Sequence, residues 1–196
     1  EEHHRLTYSY GGHDPGVCAR NLGALALWLQ GDDVDSAVLA ADSVDLAARL
    51  RHPYSQIEAC HAALTIAAVE GRSDAMPAHL DVLDALLEQD LVPEASRGYV
   101  DGFRAAMARG RGDTSEALHL FERGSEQWRA FWGPWCLPLD TLWAETLRDH
   151  GDVEAAEEVL ATATSIAAES SAPWWDAEIL RVSATLPGVP TREAAA

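Results

Sequence analysis

Gly112-Asp-Thr-Ser-Glu-Ala117 (GDTSEA) is the stretch on which the fold turns. Its glycine ends one apolar-periodic run and precedes another, which is where a helix places a glycine just past its C-terminus, in the left-handed region. The Asp that follows can accept hydrogen bonds from the first free amides of a next helix. The pattern returns at Gly31-Asp-Asp-Val-Asp-Ser-Ala37, Gly71-Arg-Ser-Asp-Ala-Met76 and Gly151-Asp-Val-Glu-Ala-Ala156. The four glycines are 40, 41 and 39 positions apart. A fixed period of this length marks a helical repeat whose unit is helix, tight turn, helix.

Prolines keep the same beat. Pro15, Pro53, Pro93, Pro134 and Pro173 stand 38, 40, 41 and 39 positions apart. Each would open the first helix of a pair, because the first helical turn leaves its N–H groups unbonded anyway. The pattern predicts helices over about 15–29 and 33–50, 54–69 and 74–89, 94–109 and 114–130, and 136–149 and 152–169. A capping helix follows near 174–185. Small residues are expected where paired helices cross: Ala24, Ala63, Ala105 and Ala144 on the first helices, and Ala37, Met76, Ala117 and Ala156 on the second. Met76 is the least comfortable of these. One turn further on, Ala41, Leu80, Phe121 and Leu160 should face the same seam. The expected fold is all-α: an α-α superhelix of about four helix pairs plus a C-terminal cap, its first helices lining a concave face. Residues 1–13 form a lead-in, 14–186 the repeat domain and 187–196 a flexible tail.

At 196 residues and 47% apolar composition, the chain can bury a sizeable core. Fourteen Lys and Arg against 32 Asp and Glu leave a net charge of −18, which repels phosphate backbones and anionic membranes. Nucleic acid and membrane are therefore not expected partners. No run approaches the length of a transmembrane helix. The three cysteines, Cys18, Cys60 and Cys136, lie far apart with no finger spacing, which fits reduced thiols and a cytoplasmic location. No signal peptide is evident, and the start lacks a Met, as in a piece of a longer protein.

Two stretches carry residue types competent for chemistry or binding. His13, Asp14 and Cys18 lie within Tyr8-Ser-Tyr-Gly-Gly-His-Asp-Pro-Gly-Val-Cys18. One reading is a metal or thiol site. The other makes Asp14 an N-cap, Pro15 the first helical residue and Gly11-Gly12 an entry turn, with Cys18 semi-buried. The set occurs once and fits no common finger, so no metal is assigned. Trp128-Arg-Ala-Phe131-Trp132-Gly-Pro-Trp135, with Trp143, Trp174 and Trp175, gathers six of seven tryptophans in the last third. These rings are read either as enlarged core packing or as an aromatic-lined groove for a peptide, partner helix or small apolar ligand. Trp132 and Trp135 flank a Gly-Pro turn and are expected to be the most exposed. The helix-face histidines His61, His79, His119 and His150 share no metal-ligand spacing. Asp32, Asp33, Asp35, Asp113, Glu116, Asp152 and Glu154 fit first turns, where the helix dipole favours them. No acid/base pair, catalytic residue or cofactor is assigned.

The turn residues at 112–117 and 151–156 resemble the tetratricopeptide repeat, with a longer period, over roughly residues 15–185. Tyr10-Gly-Gly-His-Asp-Pro-Gly-Val-Cys18-Ala19, followed by Ala26-Leu-Trp28-Leu and the Gly31 turn, resembles a narrower class. It looks like the opening of the C-terminal helical-repeat region of large bacterial signalling proteins that carry a class III adenylate/guanylate cyclase domain and a STAND-type ATPase module. Trp174-Trp175-x-Ala177-Glu178-Ile-Leu-Arg181 resembles the closing helix of that region. The resemblance implies a non-catalytic segment, with cyclase and ATPase chemistry upstream, that binds a protein or peptide, other domains of its parent chain, or a second copy. Similar repeats end ATPase-linked transcriptional activators, for which the alternative is a small-molecule-sensing domain. A phosphate loop of the GxxxxGK[ST] type is absent from the chain.

Overall fold

The computed structural model describes residues 12–93, 96–171 and 173–187. The expected lead-in before residue 12 and the expected flexible tail beyond Pro187 lie outside the described residues. The described residues are all-helical, and the chain divides into two compact units, Glu1–Glu94 and Ala95–Ala196. The division falls between the second and third helix pairs.

In the first unit α1 is Pro15–Leu29, α2 Asp33–Leu50, α3 Pro53–Val69 and α4 Pro77–Glu88, with a 3-10 turn at Ser73–Ala75. In the second unit α5 is Ser96–Gly110, α6 Thr114–Trp132, α7 Leu137–His150, α8 Val153–Ser170 and α9 Asp176–Ala184. Further 3-10 turns cover Gly133–Cys136 and Pro173–Trp175. The four repeat glycines have φ of +82°, +69°, +82° and +96° at 31, 71, 112 and 151. At each, the glycine N–H bonds a carbonyl three residues back and the next N–H bonds one five residues back. This double closure satisfies the end carbonyls of the first helix and needs the left-handed residue. Asp32, Asp113 and Asp152 then cap α2, α6 and α8, each accepting from an N–H three residues on. Arg72 fills that place in the second repeat and offers no cap.

Three expectations of detail are corrected. A continuous helix from 74 is interrupted because Pro77 has no N–H to donate, so the chain makes a 3-10 turn and restarts α4 with Pro77 at its first position. Pro134 and Pro173 likewise open 3-10 turns ahead of α7 and α9, whereas Pro15 and Pro53 open α1 and α3 directly. The seam is also one residue out of register in the first unit. Counted from each turn glycine, the crossing positions are Ala24, Leu64, Ala105 and Ala144, then Ser36, Met76, Ala117 and Ala156, all buried. Ala63 is only half-buried, and Ala37 and Ala41 are exposed. Ser36 replaces Ala37 at the seam because its hydroxyl donates to the Ala24 carbonyl at 2.8 Å, which satisfies it without a larger side chain. Ala40 takes the place expected of Ala41, and Met76 fits with no exposure at all.

The two units fill their interiors differently. In the first, Ala24, Leu25, Ala40, Ala62 and Ile66 form one cluster, and Val17, Ala47 and Ala59 another. Polar ties join the helices that carry them: Ser43 Oγ on α2 donates to the Val17 carbonyl on α1 at 3.1 Å, and Asn21 Oδ1 on α1 accepts from the Ala62 N–H on α3 at 2.8 Å. In the second, Gly98 and Gly124 bring α5 and α6 into backbone contact. A Cβ on either would stand 2.6 Å from the other's carbonyl oxygen. A Cβ on Gly102 would meet Leu139 at 2.6 Å and the Trp128 ring at 3.0 Å. The space saved by these glycines admits the fully buried Trp128, Tyr99, Phe103 and Phe121.

Candidate functional site

The aromatic residues singled out in the sequence all lie in the second unit, and they divide by depth. Trp128 and Trp175 are core residues: Trp128 has no exposure, and Trp175 donates its indole N–H to Thr141 Oγ1 at 3.1 Å. Trp143 is half-buried, its ring edge-to-face with Trp128 at 6.2 Å and stacked over Phe121 at 6.3 Å. The Arg129 guanidinium lies 5.3 Å from the Trp143 ring centre. Trp132, expected at the surface, is half-buried because its ring stacks on Tyr99 at 4.4 Å. Phe131 and Trp135 are the exposed members, at 39% and 40%. Each has an aromatic backing: Phe131 rests edge-on against Trp132 at 5.6 Å, and Trp135 against Trp174 at 5.8 Å. Trp174 is itself half-buried and packs on Trp175 at 5.1 Å.

Beneath this surface lies a buried ion pair. Asp140, one of the most buried carboxylates, accepts from Arg129 Nε at 3.0 Å and from the Trp128 indole N–H at 3.4 Å. Burial pushes its pKa up to about 6, against the opposing pull of Arg129 and the Trp128 hydrogen bond. A second buried carboxylate, Asp101, accepts from Arg123 Nε and a terminal nitrogen at 2.9 and 2.7 Å. These pairs fix α5, α6 and α7 around the rings. The pattern of apolar residues did not reveal them, because it does not show which carboxylates are carried inward to meet an arginine.

The His13-Asp14-Cys18 stretch behaves as a helix entry. Asp14 is fully buried and caps α1, accepting from the N–H groups of Gly16 and Val17 at 2.8 and 3.1 Å. Its own N–H donates to Ser55 Oγ at 2.9 Å, tying the start of α1 to α3. Pro15 is the first helical residue and Gly12 has φ +72°. Cys18 is half-buried, and burial together with neighbouring Glu58 raises its thiol pKa, the opposite of what a nucleophilic thiolate requires. Among the described residues no group of three His, Cys, Asp or Glu is placed to hold a metal ion. All three cysteines are free, and burial pushes the Cys60 thiol up to about 12. Of the helix-face histidines, His61 is buried and its pKa falls to about 4, while burial lowers His79. Among the described residues no helix is long and apolar enough to cross a membrane.

A concave site that sequence reasoning missed lies in the first unit. A cleft of about 550 Å³ is bounded by α2, α3, the 3-10 turn and the start of α4. Ala37, Ala41 and Val44 form its α2 wall, with Ala63 and Ile66 on α3. Trp28 closes one part of it, its indole N–H donating to Glu70 Oε1 at 2.8 Å. Glu70 Oε2 accepts from Arg72 Nε at 2.5 Å. The signal that could have found the cleft is the glycine register itself, since it places Ala37, Ala41 and Ala63 one residue off the seam. Comparison with family models, with curated proteins and with solved structures gives no match to the chain.

Proposed function

We propose that the chain is a non-catalytic protein-interaction and regulatory segment of helix pairs, belonging to a larger bacterial signalling protein of the cyclase-associated class. It acts in the cytoplasm and binds a protein or peptide, another domain of its parent chain, or a second copy of itself. The observation that carries the reading is the pair of exposed rings, Phe131 and Trp135, each propped by a half-buried aromatic neighbour. Large rings held rigid at a surface bury much area on contact and lose little side-chain entropy, the features of interface anchors. The tetratricopeptide-like turns and the resemblance at both chain ends support the same reading. The charge of −18 favours a basic partner over a phosphate-bearing one. Leu180 on α9, 68% exposed, supplies an apolar contact for self-association.

The test is peptide selection from a random library on the wild-type chain, repeated with the double variant Phe131→Ser, Trp135→Ser. Enriched peptides should bind the wild type and lose at least about tenfold in affinity to the variant, whose thermal unfolding stays close to the wild type. Equal binding to both, or failure of any peptide to enrich, defeats the reading. Cyclase turnover by this chain alone would defeat its non-catalytic part.

A further inference from the structure

The cleft in the first unit is independent of the aromatic surface, and its walls and charges point to a ligand class. Its volume of about 550 Å³ falls in the range of small-ligand sites. Its apolar lining comes from Ala37, Ala41, Val44, Ala63, Ile66 and the Trp28 ring. Glu70 has both carboxylate oxygens engaged, one by Trp28 and one by Arg72, so the single guanidinium of the lining is already neutralised. The carboxylates left over are Asp33 and Asp45, both exposed on α2. They are twelve residues apart, about 18 Å along the helix axis, one toward each end of the cleft wall. Burial holds the His79 imidazole below its ordinary range, which works against a positive charge there. Three carboxylates thus face one guanidinium, within a chain of net charge −18. An anion is repelled here, and a cationic head gains an electrostatic attraction that a neutral molecule of the same shape lacks.

We infer that this cleft is a binding site for a small organic cation with an apolar body, its ammonium facing one of the two α2 carboxylates, Asp33 or Asp45, and its hydrocarbon lying on the alanine wall beside Trp28. The experiment titrates the ¹⁵N-labelled chain with 4-phenylbutylamine, 4-phenylbutanol and 4-phenylbutyrate, and follows the indole N–H signal assigned to Trp28. The amine should give saturable shifts, the alcohol should bind at least about tenfold more weakly, and the carboxylate should not bind. The double variant Asp33→Asn, Asp45→Asn should bring the amine to the affinity of the alcohol. Ala41→Phe, a change on an exposed helix face, should abolish binding of both. Alcohol binding equal to amine binding, an Asp-to-Asn variant of unchanged amine affinity, or no saturable shift with the amine each overturns the inference. Should Ala41→Phe disturb folding, Ala37→Leu narrows the same wall more gently and must weaken the amine.

Discussion

The two units share one turn and diverge in what lies between the helices. Each first helix ends on a left-handed glycine with the same pair of closing hydrogen bonds, at Gly31, Gly71, Gly112 and Gly151. In residues 96–187, glycines at 98, 102 and 124 let the helices touch, and aromatic rings then fill the remaining space. In residues 12–93, alanines and small polar residues fill the seam, and a cleft opens beside it. The turn therefore sets the backbone period, while side-chain volume at and beside the seam decides how each interior is filled.

The sharpest way to break the contrast is Trp128→Ala, which removes a fully buried ring from the second unit. The expected loss is about 4 kcal/mol, read by chemical denaturation, with amide-exchange protection falling first in α5–α7. Loss of protection chiefly in α1–α4 would contradict it. Acidification should set the units against each other. His61 is folded with a pKa near 4 against 6.5 unfolded, so between those values the unfolded chain binds the extra proton. Its contribution to stability is present above pH 6.5 and falls as pH drops toward 4, by up to about 3 kcal/mol. Asp140 runs the other way: raised to about 6 from 3.8, it favours the folded state below pH 4 and loses that contribution as pH rises through 6. Amide exchange at pH 7 and pH 5 should therefore show α3 weakening on acidification relative to α7.

Smaller effects sharpen the packing side of the comparison. Gly124→Ala should cost about 2 kcal/mol, because its Cβ meets a backbone oxygen at 2.6 Å and the helix-propensity gain of alanine only partly offsets this. Gly23→Ala in the first unit meets only the end of the Leu39 side chain, at 2.8 Å, and should be near neutral by thermal melt. A change of the opposite sign is expected at Ser171, which closes α8 with φ +51°. Ser171→Gly relieves that left-handed strain and should gain about 0.5–1 kcal/mol in urea titration.

Where the chain marks its structure with a residue type strongly favoured at that place, the sequence alone was enough. Glycine at φ near +80° and aspartate at the N-cap are such residues, and they placed the first-helix ends and three of the second-helix starts. Second helices also end on left-handed residues, but at Arg51, Asp90, Gly133 and Ser171, of which only one is glycine, so that beat was invisible. Met76 and Leu64 hid the seam register for a related reason: a search for small residues there slid one place to Ala63 and, on α2, from Ser36 to Ala37. The aromatic surface was legible as composition, but its split into buried Trp128 and Trp175 and exposed Phe131 and Trp135 depends on which neighbours each ring meets. The cleft was not read from the sequence, because it consists of space left by small side chains and shows only through the glycine register that moves Ala37, Ala41 and Ala63 off the seam.

That displacement of Ala37, Ala41 and Ala63 from the seam has a consequence for how such a chain can change over generations. Alanine codons reach valine, threonine, serine, aspartate and glutamate by one nucleotide. At Ala105, Ala117 or Ala156, which are wholly enclosed, these replacements overfill the interior or bury a charge, and selection removes them. At the three cleft alanines the same replacements leave the helix crossing untouched and alter only the size and polarity of the hollow. Descendants of this chain can thus retune what the hollow admits in single steps, while the glycine turns keep the scaffold constant.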